Sequence, residues 1–117
     1  MVKLDSERGY IRIENDVFTN LAGAAATNCF GVKGMAMRSM SDGLVHLLKR
    51  EAMGKGVRIM YFEDGGISIE LHIIVDHGVN ITAICRSIIS EVKYRVAKET
   101  GVEVRGVNVC VDSIMVD

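Results

Sequence analysis

The sequence contains no proline and no tryptophan, and aromatic residues make up only 5% of it. Without proline, the turns of the chain depend on its 12 glycines, which adopt positive φ angles at little cost. No apolar run approaches the roughly 18 residues of a membrane-spanning helix, which argues against an integral helical membrane protein. The composition, 49% hydrophobic and 25% charged, is typical of a globular protein, and we expect one domain over residues 1–117.

The small number of cysteines and the low net charge argue against a disulfide-rich protein, a cysteine-based metal site and a nucleic-acid-binding protein. Cys29, Cys85 and Cys110 are far apart and lie among apolar residues, which gives neither a disulfide framework nor a Cys-x-x-Cys metal motif. We interpret them as small buried hydrophobic residues. The net charge of −1 gives no overall attraction for nucleic acid. Residues 1–8 contain no apolar signal segment, so we expect a cytoplasmic protein.

The clearest pattern is an amphipathic helix from Asn80 to Thr100. Apolar residues recur there at intervals of three and four, which predicts one buried stripe along a helix. Asn80 can cap the start of this helix, and Gly101 is suited to its end. The predicted apolar face consists of Ile81, Ile84, Cys85, Ile88, Val92 and Val96.

The opposite face of the same helix is small and only weakly charged. Ala83, Ser90 and Ala97 recur there at intervals of seven residues, and Ser87 and Tyr94 lie beside them. Small side chains permit the close approach of another chain, so we predict that these five residues form an interaction face. Ordinary exposure to solvent is the alternative interpretation.

Two β-rich runs, residues 57–62 and 67–75, flank Glu63-Asp64-Gly65-Gly66 and predict a β-hairpin. A loop of two or four residues places Met60 and Phe62 on the core face. A final strand is predicted over residues 102–111. Its valines change parity at Arg105-Gly106, which predicts a β-bulge there.

The N-terminal half has weaker signals. Residues 9–13 alternate as a short strand, and Asn15 can cap an alanine-rich helix that ends near Asn28. We expect one face of that helix to carry Val17, Leu21 and Ala24, with Phe18 and Ala25 beside them.

The middle of the chain is the least regular segment. Met35, Met37 and Met40 are predicted to fill gaps in the core, and an adaptable surface for a partner is the alternative. A short helix is predicted to begin at Ser41 or Asp42 and to end at the glycines 54 and 56. Together the elements predict an α+β fold of two layers, in which helices cover a small mixed or antiparallel sheet with a central β-hairpin.

No residue set in the sequence predicts catalysis, cofactor binding or metal binding. His72 and Asp76 lie four residues apart on one strand, about 13 Å along it, which is too far for one metal ion. The sequence has no Gly-x-Ser-x-Gly elbow, no Walker loop and no Gly-x-Gly-x-x-Gly motif. We therefore expect a protein without enzymatic activity, cofactor or small-molecule substrate.

Gly31-Val32-Lys33-Gly34 matches the Gly-x-x-Gly loop of RNA-binding KH domains. Such a loop lies between two helices and clamps the nucleic-acid backbone, and Lys33 would then lie near phosphate. A four-residue pattern recurs by chance and the chain is slightly acidic, so RNA binding is the less favoured hypothesis.

Several segments carry a resemblance to a known family. The more specific ones are residues 69–81, 100–104 and 107–111, and the supporting ones are residues 9–13, the alanine-rich segment and residues 31–35. Over these segments, which span nearly the whole chain, the sequence resembles the bacterial alkaline-shock and general-stress family. The most distinctive stretch is Ile69-Glu70-Leu71-His72-Ile73-Ile74-Val75-Asp76-His77-Gly78-Val79-Asn80-Ile81.

The resemblance implies a small, non-enzymatic cytoplasmic protein of the cell-envelope stress response. Such a protein self-associates and acts through protein partners, in some members near the membrane, to which a partner would recruit it peripherally. Cys29-Phe30 and the methionine-rich residues 35–40 depart from the family pattern, which leaves the partner open. Regulation of a biosynthetic enzyme by protein contact is a further hypothesis, and the sequence does not separate it from the first.

Overall fold

A mixed five-stranded sheet with two α-helices packed on one face forms most of the molecule, and a separate two-stranded hairpin comes first in the chain. In this computed structural model residues 1–116 are described. The predicted α+β class is confirmed. None of the helices within those residues combines the length and the apolar character needed to cross a membrane. In chain order the elements are β1 (Val2–Ser6), β2 (Gly9–Ile13), α1 (Asn15–Thr27), β3 (Val32–Arg38), β4 (Val45–Leu47), a 3₁₀ helix (Arg50–Gly56), β5 (Val57–Tyr61), β6 (Ile67–Asp76), α2 (Ile81–Thr100) and β7 (Val104–Met115).

Strand β6 is the centre of the sheet and pairs along both of its edges. On one edge, β5 pairs antiparallel with residues 67–71 and β3 pairs antiparallel with residues 73–75. On the other edge, β7 runs parallel to the whole of β6. Strand β4 extends the sheet by pairing with β3. Because α2 connects the parallel strands β6 and β7, it crosses over one face of the sheet.

The core lies between that face and the two helices. Every second side chain of β6 is fully buried there: Ile67, Ile69, Leu71, Ile73 and Val75. Phe18 and the alanines of α1 pack against them from one helix, and Ile88, Val92 and Val96 from the other. Each fully buried aliphatic side chain of this size contributes roughly 1.5–3 kcal/mol relative to an exposed one. The strand alternation and the helix stripe therefore stabilise one common core.

Helix α2 has the predicted bounds and caps. The Asn80 side chain accepts a hydrogen bond of 3.0 Å from the Ala83 amide, and Gly101 has the left-handed φ of 74° that ends the helix. Four residues of the predicted apolar stripe are buried, whereas Ile81 and Cys85 lie at its margins and are only partly covered.

Helix α1 begins one residue earlier than predicted. Asn15 is its first residue and Glu14 its N-cap, with no side-chain capping bond. The Asn15 side chain instead accepts a hydrogen bond from Tyr61 in β5. The buried face carries Phe18 and the alanines at 22, 25 and 26, whereas Val17 is 44% exposed. Phe18 and Ala25, which were predicted to lie beside the apolar face, are thus part of the buried face itself, because small alanines lie on several sides of the helix and define its stripe poorly.

The predicted hairpin is present, but the register predicted for it was wrong. Tyr61 pairs with Ile67, which makes Tyr61 and not Met60 or Phe62 the residue on the core face. The Phe62 amide donates to the Gly66 carbonyl at 2.9 Å, so the loop has three residues. Gly65 has a positive φ of 93° within this loop. An odd number of loop residues reverses the parity that loops of two or four residues impose.

Residues 41–56 form a strand and a 3₁₀ helix, and the predicted short α-helix is absent from them. Asp42 accepts a hydrogen bond of 2.9 Å from the Leu44 amide, which lowers the pKa of Asp42, and Gly43 has a φ of 70°. This tight turn returns the chain to pair with β3. Pairing at a sheet edge has overridden a local helix signal. Of the three methionines predicted to lie in the core, Met35 is buried, whereas Met37 and Met40 are exposed.

Strand β7 confirms the predicted β-bulge and adds a second one. Arg105 is the extra residue between the pairs that Val104 and Gly106 make with β6. The strand runs beyond its predicted end at Val111 to Met115, and a second register shift leaves Asp112 as an extra residue. Strand β1, which pairs with the predicted strand at residues 9–13, was not predicted, because only two apolar residues, Val2 and Leu4, mark its alternation.

Candidate functional site

The interaction face predicted on α2 points away from the sheet. Ala83, Ser87, Ser90 and Tyr94 are exposed, and Tyr94 is 61% exposed despite its size. Ala97 is half-buried and packs against the edge of the core. The structure therefore brings the five predicted residues onto one outer helix surface, of which Ala97 is the least accessible.

A shallow depression of about 620 Å³ lies at the C-terminal half of this surface. The Lys98 ammonium lies 5.5 Å from the centre of the Tyr94 ring, a cation–π distance that positions the ring along the helix. The large exposed Tyr94 ring stands beside small alanine and serine side chains, which gives this surface a shape that another helix can fit. The depression is lined by Ser90, Lys93, Tyr94, Ala97 and Lys98.

A second feature is a polar cluster on the sheet face opposite the helices, formed by Arg58, Glu70, His72, Cys110 and Asp112. The Arg58 guanidinium lies 3.3 Å from Glu70 Oε2. Glu70 Oε1 lies 2.9 Å from His72 Nε2, and His72 Nδ1 lies 3.0 Å from Asp112 Oδ2. The sulfur of Cys110 lies within 4.8 Å of ligand atoms of Glu70 and His72. This polar cluster crosses three strands.

Strand register assembles the polar cluster. Arg58 of β5 is directly opposite Glu70 of β6, and His72 of β6 is directly opposite Cys110 of β7. The bulge at Asp112 adds a carboxylate beside His72. Sequence periodicity did not predict this cluster, because only the registers of β5 and β7 against β6 bring its members together. The available signal was the pairs Glu70-x-His72 and Cys110-x-Asp112, each of which presents two polar residues on one strand face.

Hydrogen bonds and charges link the members of the polar cluster to one another. Both ring nitrogens of His72 face carboxylate oxygens, so both hydrogen bonds are made only when the ring carries two protons. Burial raises the pKa of the Cys110 thiol, and the negative charges of Glu70 and Asp112 raise it further. The arrangement thus places the Glu70 carboxylate, the His72 imidazole and the protonated Cys110 thiol close together, with the Asp112 carboxylate against the second ring nitrogen.

The other two cysteines are also half-buried thiols. Burial raises the pKa of Cys85, and burial together with the charge of Glu91 raises the pKa of Cys29. All three cysteines are free and partly accessible, so the expectation of full burial was too strong.

The segment Gly31 to Gly34 does not have the context of an RNA-binding loop. Gly34 lies within β3 and Gly31 is in the turn before it, so no second helix follows. A side chain at Gly31 would collide with Ile84, and one at Gly34 would approach Leu47 to 2.8 Å. Gly31 also has a φ of 85°, which favours glycine, and the helix–loop–helix geometry on which the RNA hypothesis depended is missing.

Comparison with known sequences places this chain in a family. The profile of the ASP23 family, cell envelope-related function, matches residues 3–116. The chain belongs to the ASP23 family. The uncharacterized protein YloU of Bacillus subtilis (strain 168) is 34% identical to it over 98% of this chain and 96% of the relative. The uncharacterized protein Spy1614 of Streptococcus pyogenes serotype M6 is also 34% identical, over 98% of this chain and 95% of the relative.

Solved structures share the fold of this ASP23-family chain at low sequence identity. One structure of the MamM CTD is 17% identical, with a TM-score of 0.51 over 86% of this chain and 99% of that one. A cadmium form of a MamM CTD variant is 18% identical, also with a TM-score of 0.51, over 86% of this chain and 98% of that one. At this identity the likeness concerns the fold alone.

Proposed function

We propose that this ASP23-family chain is a non-enzymatic, cytoplasmic interaction protein of the cell-envelope stress response. In this proposal it self-associates through the outer face of α2 and acts through protein partners. Membership of a family with a cell envelope-related function supports the envelope role. The exposed Tyr94 ring beside small residues on α2 is the observation that carries self-association.

The outer face of α2 is complementary to a second copy of itself. Two copies of the helix can cross antiparallel about a two-fold axis at Ser90, as an isologous dimer requires. Residues at equal distances on either side of the axis then oppose each other, so Tyr94 of each copy lies opposite position 86 of the other and packs beside Ser87. A large ring against small side chains fills space without a clash. Ala97 similarly opposes Ala83.

Tyrosine suits the centre of such an interface. It buries a large apolar area while immobilising only two side-chain torsions, and its hydroxyl tolerates a wet rim. The face contains no carboxylate among its five residues, so pairing of two copies brings no like negative charges together at its centre. One helix face is a small interface, so we expect weak association, in which the dimer forms only at higher protein concentration.

Light scattering at several protein concentrations tests the self-association. We expect the mass to rise toward that of a dimer, and we expect Ala83→Glu and Tyr94→Ala to keep the chain monomeric with an unchanged circular dichroism spectrum. Thr82→Glu is the matched control, because it adds the same charge to the neighbouring exposed position outside the face. A wild-type chain that stays monomeric at all concentrations, or a dimer indifferent to both variants, would refute the interface.

The role through partners needs a cellular experiment. Affinity purification of the tagged chain from its native cells should enrich envelope-associated proteins, and a deletion strain should grow poorly under envelope stress. Complementation with Ala83→Glu separates the two parts of the proposal. Full rescue by this variant would show that self-association is dispensable for the envelope role, whereas normal growth of the deletion strain under stress would contradict that role itself.

A further inference from the structure

We propose that Glu70, His72 and Cys110 form a binding site for a divalent transition-metal ion of the zinc type, with Asp112 as the residue that orients His72. This inference goes beyond the proposed interaction function and does not depend on it. The three residues lie on the sheet face opposite the helices, whereas the proposed self-association uses α2.

The separations of the candidate ligand atoms suit one ion. One ligand atom from each of the three residues lies within 4.8 Å of the others. Zinc–ligand bonds of about 2.0–2.3 Å in tetrahedral geometry require separations of roughly 3.3–3.8 Å. Side-chain adjustments of about 1 Å close that difference, and all three side chains are only partly covered, so they have room to move.

The chemical types of the three ligand atoms narrow the choice of metal ion. The set comprises one imidazole nitrogen, one sulfur and one carboxylate oxygen, all of which zinc accepts. A thiolate and an imidazole favour zinc and similar transition metals, whereas calcium and magnesium prefer sites made wholly of oxygen. The Cys110 sulfur therefore decides the class of ion.

Asp112 prepares His72 for coordination. Its carboxylate lies 3.0 Å from His72 Nδ1, so a proton held on Nδ1 leaves Nε2 with its lone pair directed toward Glu70 and Cys110. Metal-binding histidines regularly donate their second nitrogen to a carboxylate in this way. Arg58 does the same for Glu70, since it holds Oε2 and leaves Oε1 on the side of His72.

The charges around the site also favour a cation. Glu70 and Asp112 place two carboxylates beside His72, and Arg58 pairs with Glu70. When a divalent ion binds, Cys110 releases its proton to solvent and coordinates as the thiolate, and His72 coordinates through an unprotonated Nε2. The ion and Arg58 then carry three positive charges against the three negative charges of the Cys110 thiolate, Glu70 and Asp112.

The site is accessible and has one coordination position to spare. His72 and Asp112 also line a cavity of about 500 Å³ that opens to solvent. Three protein ligands leave the fourth tetrahedral position for water or for a donor from a bound molecule. An ion held here would present an electrophilic centre on the open face of the sheet.

Titration of the reduced, metal-free chain with Co²⁺ tests the site, because a cobalt–thiolate bond produces a charge-transfer absorption in the near ultraviolet. We expect this band to saturate at one equivalent, to disappear on addition of Zn²⁺, and to be absent from Cys110→Ser. The matched control is Cys85→Ser, which removes another half-buried thiol and should retain the band. Circular dichroism of each variant establishes that it is folded.

Asp112→Asn provides a second test that preserves size and leaves all three ligands in place. We expect it to weaken Co²⁺ binding by about 10–100-fold while the band keeps its position. Absence of a thiolate band at stoichiometric Co²⁺ would overturn the proposal. A band that persists in Cys110→Ser, or that Cys85→Ser abolishes, would overturn it equally, because the thiolate would then lie elsewhere.

Discussion

The Tyr61 hydroxyl donates a hydrogen bond of 2.6 Å to the side-chain oxygen of Asn15. The bond joins the end of β5 to the first turn of α1 across 46 residues of sequence. The Tyr61 ring also lies edge-on to the buried Phe18 ring, with centroids 6.2 Å apart. One side chain therefore anchors the first helix to the sheet by both a polar and an aromatic contact.

Tyr61→Phe removes the hydrogen bond and retains the ring. We expect the free energy of unfolding to fall by about 1 kcal/mol, the usual net value of one such bond. Urea denaturation with linear extrapolation measures the change. Tyr10→Phe is the control, since the Tyr10 ring is exposed and stacks on Lys3 through its face, which phenylalanine preserves. Equal losses in the two variants would contradict a specific role for the Tyr61–Asn15 bond.

The alkaline limb of stability should also depend on Tyr61. Burial raises the pKa of Tyr61, and the nearby charge of Glu14 raises it further. The folded state therefore holds the phenolic proton more tightly than the unfolded chain, whose tyrosine titrates near about 10. This contribution is complete below that pH and is lost as the pH rises through the folded pKa. Denaturation midpoints across alkaline pH should fall more steeply for the wild type than for Tyr61→Phe, and identical slopes would refute the assignment.

Gly65 should be sensitive to alanine for a purely conformational reason. Its φ is 93°, where an L side chain is strained, yet an added Cβ would meet nothing within 4 Å. We therefore expect Gly65→Ala to destabilise the chain by roughly 1 kcal/mol through backbone strain alone. Gly106→Ala is the comparison, because Gly106 has no positive φ and an added Cβ makes an ordinary contact of 3.6 Å with Ser68. Thermal unfolding of both variants measures the difference.

The same loop shows where sequence-based prediction of this fold reaches its limit. Helix α2 was predicted with both caps, because Asn80 and Gly101 act through neighbouring backbone atoms. The hairpin register depended instead on the number of residues in the loop, which is three and not two or four. One residue of difference transfers every side chain of β5 to the other face.

The polar cluster was beyond prediction for a related reason. Its five residues are polar positions on three strands, and only the registers of β5 and β7 against β6 place them together. The bulge at Arg105 was visible from a change of valine parity, whereas no such change accompanies the bulge at Asp112. Local patterns therefore predict elements and caps, and tertiary pairing determines which polar residues meet.

RNA binding should be absent, because Gly31 and Gly34 lie in a turn and a strand and not in a loop between two helices. We expect no change in the fluorescence anisotropy of labelled single-stranded RNA at low salt as the chain is added. A backbone clamp would instead produce binding that weakens steeply with salt. Salt-sensitive binding that Lys33→Ala reduced would contradict this prediction, since Lys33 is the cation that a clamp at this segment would use.

Neighbouring isoleucines of α2 provide a direct test of its orientation. Ile88 is fully buried against the sheet, whereas Ile89 is 37% exposed on the next position. We expect Ile88→Ala to lower the free energy of unfolding by about 2–5 kcal/mol, because the lost methyl and methylene groups leave a cavity that the β-sheet cannot fill. Ile89→Ala removes the same atoms at a surface that already contacts water and should cost less than half as much. Urea denaturation of both variants decides, and comparable losses would mean that α2 is rotated about its axis relative to the structure described.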